Sequence, residues 1–201
     1  MHSTAVVDRR PSLLPLALAA WGSLSALAAA AGVFSLERRA LVPLCIAGGA
    51  VGLIAAYRAS GSFRASVDRV STALIVALHA VRLPIGAAFV YEWTRGRLPA
   101  EFALHAGPGD MLAGALAIPM ALALRDGAPH RRALLAWNVL AFADIVSVAA
   151  HAQRIVLFSD HPERLVGLMR FPYGTLPTFV VPLVMATHVL VFARLRRAVT
   201  R

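Results

Sequence analysis

From Leu13 to Leu195 the chain is a succession of apolar runs, most of them about 20 residues long, which is the length of helix that crosses a bilayer. Short segments between the runs collect nearly all of the charge. This alternation constrains the fold more than any motif does. In hydrocarbon a backbone N–H or C=O has no water to turn to, so a run of this length folds as a helix. Charged residues make up 15% of the chain, against about 25% in a soluble domain, and the mean hydropathy is +0.69. The expected architecture is all-α: a six-transmembrane-helix bundle with a short interfacial helix. Residues 1–201 read as one integral membrane domain, with spans at about 13–34, 40–57, 70–93, 110–124, 133–158 and 176–195. The interfacial helix is Pro162–Phe171, with Leu165, Val166, Leu168, Met169 and Phe171 on an apolar face.

All 20 basic residues are arginines, and the net charge is +10. Such a balance suits nucleic acid when it forms a patch, but here the arginines flank the apolar runs and act as topology signals. With the N-terminus in the cytoplasm, 12 arginines fall on that side and 7 on the other, with Arg82 inside a span. The bias predicts cytoplasmic N- and C-termini. A lysine-free, alanine-rich composition points to a high-GC bacterium, hence to a multi-pass protein of the bacterial inner membrane. The partner expected is the lipid bilayer, with no nucleic acid. Arg9-Arg10 before Leu13–Phe34 imitates a signal peptide, but the run is longer than an h-region and more spans follow, so it reads as a retained first helix. Cys45 is alone, which excludes an intrachain disulfide. Gly48 and Gly52 have the GxxxG spacing, which suits packing within the bundle or contact with a membrane-protein partner or a second copy.

Ionisable residues inside spans are costly and usually face the bundle interior. Arg82 lies midway through the third span and Asp144 midway through the fifth, so both sit near the bilayer centre and are expected to pair. Asn138, Ser147 and His151 share the helix of Asp144. Asp144 and His151 are seven residues apart, on one face and about 10 Å apart along the axis. Gly107-Pro108-Gly109-Asp110 reads as a turn in which Asp110 caps the fourth helix or stands at the mouth of a cavity near His151. The site residues expected are therefore Arg82, Asp144, His151, Asp110, Asn138, His188 and His79.

The histidines fall into two layers, His79 with His188 and His105 with His151. Paired histidines on separate helices are the arrangement that ligates haem iron or another metal. Haem b is the cofactor this pattern suggests. The motifs of familiar enzymes are missing: there is no HExxH, no P-loop, no GxSxG and no lysine for a Schiff base.

The chain resembles a class of small bacterial polytopic membrane proteins without an assigned activity. The likeness rests on Arg82-Leu-Pro-Ile-Gly86, Leu98-Pro99-Ala-Glu-Phe102, Gly107-Pro-Gly-Asp110, Trp137-Asn138 with Asp144, and Pro177-Thr-Phe-Val-Val-Pro182 with His188. It implies the topology and carries no catalytic residue. Three functions remain. The first is a small transporter or proton-coupled carrier with Asp144 as the titrating group. The second is a b-type haem electron carrier. The third is a non-catalytic membrane partner or assembly subunit in which Arg82–Asp144 is only structural.

Overall fold

The computed structural model describes residues 13–126 and 130–197. Arg9, Arg10 and Arg201, which contribute to the orientation argument, lie outside the described residues. All regular elements among the described residues are helical. They are α1 (Leu14–Ala30), α2 (Leu41–Ala59), α3 (Gly61–Asp68), α4 (Thr72–Leu78), α5 (Arg82–Thr94), α6 (Ala100–Arg125), α7 (Arg131–Phe158) and α8 (Val181–Arg197). A 3-10 turn at His79–Val81 joins α4 to α5, and a π-helical turn at Leu176–Val180 leads into α8. Both irregular turns lie just before a proline, Pro84 or Pro182, whose ring displaces the carbonyl four residues earlier.

Five helical segments are long and apolar enough to cross a membrane: Leu41–Ala59, Thr72–Thr94, Ala100–Arg125, Arg131–Phe158 and Leu176–Arg197. α1 is apolar but has only 17 residues. Leu16, Leu24, Leu44 and Leu140 face outward, whereas His79, Arg82, Asn138 and His188 are buried. Water would reverse that distribution, because exposed leucine and buried arginine both cost free energy in an aqueous solvent.

The fourth span departs from expectation. It does not begin at Asp110 after a Gly-Pro-Gly turn. α6 runs unbroken from Ala100 through Pro108 and Pro119 to Arg125. The glycines are contact points instead. A Cβ on Gly86 of α5 would overlap the Gly107 carbonyl and stand 2.8 Å from the Met111 amide, and one on Gly114 would overlap the Leu83 amide. α5 and α6 therefore meet backbone to backbone, as small residues allow in membrane helices. Between the second and third spans the chain forms α3, capped by Ser60, and α4 is capped by Ser71. Gly48 and Gly52 face open space, while Gly49 packs on Pro182 and Trp21. α1 is held to the π-helical turn by a Ser25–Thr178 hydrogen bond and by Trp21 edge-on to Phe179 at 5.0 Å.

Two apolar clusters divide the interior. One gathers Phe89, Phe102, Val148, Ile155 and Leu165, and the other gathers Val76, Ala117, Leu134, Trp137 and Val191. The 3-10 helix Pro162–Met169 turns Leu165 and Met169 into the first cluster. Phe171, expected on the same apolar face, is exposed instead.

The glycine contacts give contrasting predictions. Gly86→Ala forces α5 and α6 apart and should cost about 1–3 kcal/mol, the range for overpacking. Gly48→Ala meets no neighbour and should leave stability equal or higher. Thermal unfolding midpoints of the two variants in one detergent check this. Equal midpoints would show that the α5–α6 contact is looser than described.

Candidate functional site

Arg82 sits at the start of α5, where the 3-10 turn before Pro84 ends. Its side chain is 2% exposed, and all three of its guanidinium nitrogens are engaged. Nε donates to Asp110 Oδ1 at 2.6 Å, Nη1 donates to the Ala141 carbonyl at 2.9 Å, and Nη2 donates to Asp144 Oδ2. The Arg82–Asp144 pair expected from depth is present. The second carboxylate partner differs from the sequence expectation, in which Asp110 caps the fourth helix or stands at a cavity mouth near His151. The continuous α6 carries it into the bundle, where it is buried. A signal for this was available: Gly107, Asp110 and Gly114 lie at i, i+3 and i+7, one face of a helix. Gly109 gives Asp144 its room, since a Cβ there would coincide with the carboxylate.

The two carboxylates face different surroundings. Asp110 lines a cavity of about 80 Å³ between α2, α5, α6, α7 and α8. Its walls are almost wholly apolar, with Arg82 and Asp110 among the polar lining residues, and Leu165, Leu168 and Met169 of the Pro162–Met169 helix also line it. Tyr173, just beyond that helix, donates to Glu92 Oε1 at 3.0 Å, and Glu92 also pairs with Arg97. Burial first, and then this bond, raises the Tyr173 phenol above its ordinary pKa, so it stays protonated and the tie persists at neutral pH.

Asp144 is less enclosed, with its side chain 23% exposed. From it a polar seam runs between α6 and α7 toward the Ala100 and Phe158 ends. His105 and Ser147 are hydrogen-bonded at 2.9 Å, the His105 and His151 rings lie 4.6 Å apart, and His151 Nε2 donates to the Glu101 carbonyl at 3.1 Å. His105 was expected only as a metal ligand, but here it stands beside Asp144.

His79, His188 and Asn138 form a separate buried group beyond Arg82. His188 Nδ1 donates to Asn138 Oδ1 at 2.8 Å, and Asn138 Nδ2 donates to the His188 carbonyl at 3.2 Å. Thr187 gives its proton to the Val184 carbonyl, so its oxygen receives His79 Nε2–H at 3.2 Å. His79 Nδ1 and His188 Nε2 have no partner. The expected histidine layers are thus real neighbours, with the His79 and His188 rings 4.3 Å apart. Bis-histidine haem ligation requires the iron and its macrocycle between the two rings. Rings this close leave no such gap, in this pair or in His105–His151, so neither pair fits bis-histidine haem. Among the described residues, no three of His, Cys, Asp and Glu converge as a metal site.

A family model described as "Domain of unknown function (DUF8737)" matches residues 39–196, a range that contains Arg82, Asp110 and Asp144 and omits α1. No curated protein and no solved structure matches the chain.

The geometry changes the expected behaviour of charge-removal variants. Arg82→Leu strands two carboxylates inside the bundle and should cost about 3–5 kcal/mol. Adding Asp144→Leu still leaves Asp110 buried and unpaired, so the double variant should stay unstable. Only Arg82→Leu with both Asp110→Leu and Asp144→Leu should recover a monodisperse, cooperatively unfolding protein. Size-exclusion chromatography and thermal unfolding read the series, and full recovery in the double variant would remove Asp110 from the cluster.

Proposed function

We propose that this chain, which belongs to the DUF8737 family, is a small proton-coupled carrier of the bacterial inner membrane. The observation that carries the reading is one guanidinium held between two carboxylates. With both carboxylates ionised the cluster has a net charge of −1. A net charge at the bilayer centre is costly, and one bound proton removes it. The cluster is therefore a proton-binding centre, and the proton belongs to the carboxylate pair rather than to either member. The titratable groups around the pair are Arg82 from α5 and His105 from α6, with His151 from α7 next along the seam; His79 and His188 lie beyond Arg82. In this reading Asp144 exchanges the proton through His105 and His151, Asp110 meets the transported molecule in the cavity, and Arg82 couples the two.

The reading includes six spans, with α1 as the first. Its 17 residues extend about 26 Å, near the lower limit for a bilayer crossing. Both termini are then cytoplasmic, and the Pro162–Met169 helix lies at the outer interface. A second reading has support from one feature: no nitrogen of the Arg82 guanidinium is free. That suits a structural lock in a non-catalytic membrane subunit.

Proton uptake separates the two. Purified protein in detergent, moved from alkaline to neutral pH in weak buffer, should bind a proton that folded Asp144→Asn protein does not, because the asparagine variant starts neutral. The sign follows from the charge: the cluster passes from −1 to 0 as pH falls. Equal uptake by both proteins would favour the lock.

A further inference from the structure

The geometry points to the capped central cavity as a binding site for a slim hydrophobic cation, an aliphatic ammonium, whose charged end lies against Asp110. This rests on the proposed carrier reading and adds the class of substrate to it.

The argument starts from the cavity wall. It is apolar along nearly its whole length, so whatever binds there has an apolar body. The charged groups that line it are Arg82 and Asp110. Arg82 is committed to the cluster, its Nε, Nη1 and Nη2 donating to Asp110, Ala141 and Asp144, and its single charge is outnumbered by the two carboxylates. Asp110 uses Oδ1 for Arg82 and retains acceptor capacity. One further lining residue has a buried polar atom with no partner, Gln153 Oε1, and it too is an acceptor. The hydroxyl hydrogen of Tyr173 is given to Glu92. The wall thus presents acceptors and one carboxylate in excess of its cation. An anion meets a negative cluster, and a neutral hydrocarbon leaves the Gln153 acceptor unsatisfied. An ammonium group matches both the charge and the hydrogen-bonding. The volume of about 80 Å³ suits a short aliphatic chain rather than a large multi-ring body.

The site also explains the coupling. The cluster is neutral with either one proton or one ammonium ion against it, and carries a charge of +1 with both. Binding of the ammonium therefore expels the proton, which leaves from the carboxylate pair through Asp144 and the seam. The exchange is one proton for one monovalent cation.

The test uses the full-length protein in lipid nanodiscs, titrated with n-hexylammonium chloride, n-hexanol and sodium hexanoate. Thermal unfolding reports binding, and an indicator dye in weak buffer reports protons. Hexylammonium should raise the unfolding midpoint saturably and release a proton, whereas hexanol and hexanoate should do neither. Leu165→Trp, which fills part of the cavity without touching the charge cluster, should weaken hexylammonium binding at least tenfold, and Asp110→Asn should do the same. Stabilisation by hexanol equal to that by hexylammonium, or unchanged affinity in Leu165→Trp, overturns the inference, as does no effect of hexylammonium. Saturable hexylammonium binding without proton release supports the site and contradicts the carrier reading on which the exchange rests.

Discussion

A guanidinium at the centre of a bilayer has no water to solvate it and cannot shed its charge, because arginine remains protonated in proteins. Arg82 is 2% exposed and lies midway along Thr72–Thr94, a helical segment long and apolar enough to cross a membrane. Partners must therefore be brought to it from other helices, and three are: Asp110 from α6, Asp144 from α7 and the Ala141 carbonyl of α7. Much of the bundle can be understood as the means of keeping them there. α5 and α6 approach closely through Gly86, Gly107 and Gly114, and that approach places Asp110 at 2.6 Å from the guanidinium. Gly109 leaves space for the Asp144 carboxylate. Apolar clusters occupy the rest of the interior and leave Arg82 and Asp110 buried.

A lock would need only one carboxylate. Replacing a lone buried ion pair with apolar side chains is often neutral or stabilising, so an ion pair alone says little about function. The second carboxylate gives this cluster its chemical interest, because it creates a proton-binding centre with a neutral state. The two acids also look in different directions. Asp110 looks into the capped cavity, and Asp144 looks along the seam of His105, Ser147 and His151. A proton on one side and a ligand on the other then compete for one charge, which is the thermodynamic requirement for coupling.

The membrane-helical character was legible in the sequence because it rests on run length and composition, which need no tertiary information. The Arg82–Asp144 pair was legible for a related reason. Depth along a helix can be counted, and two opposite charges at one depth must meet. Asp110 was misplaced because Gly-Pro-Gly carries the local chemistry of a turn in water. In a membrane helix proline is tolerated and glycine serves backbone contact, so the same residues continue the helix. Tertiary packing decided between the two, and the i, i+3, i+7 spacing of Gly107, Asp110 and Gly114 was the one sequence-level trace of it. The cavity left no such trace. Its lining comes from five helices and a capping turn, and no single segment of sequence encodes that convergence. The histidine layers are legible as pairs at one depth, but only the ring separations show that the two rings of each pair are too close for a macrocycle between them.

The central claim is that the carboxylate pair around Arg82 holds a single proton. Infrared difference spectroscopy of the reconstituted protein tests it most directly, since a protonated carboxyl has a C=O stretch that an ionised carboxylate lacks. The account predicts a carboxylic-acid band near neutral pH that disappears in alkaline solution and is absent from neutral to alkaline pH in folded Asp144→Asn protein. An identical band in Asp144→Asn, or no such band in the parent protein, would contradict it.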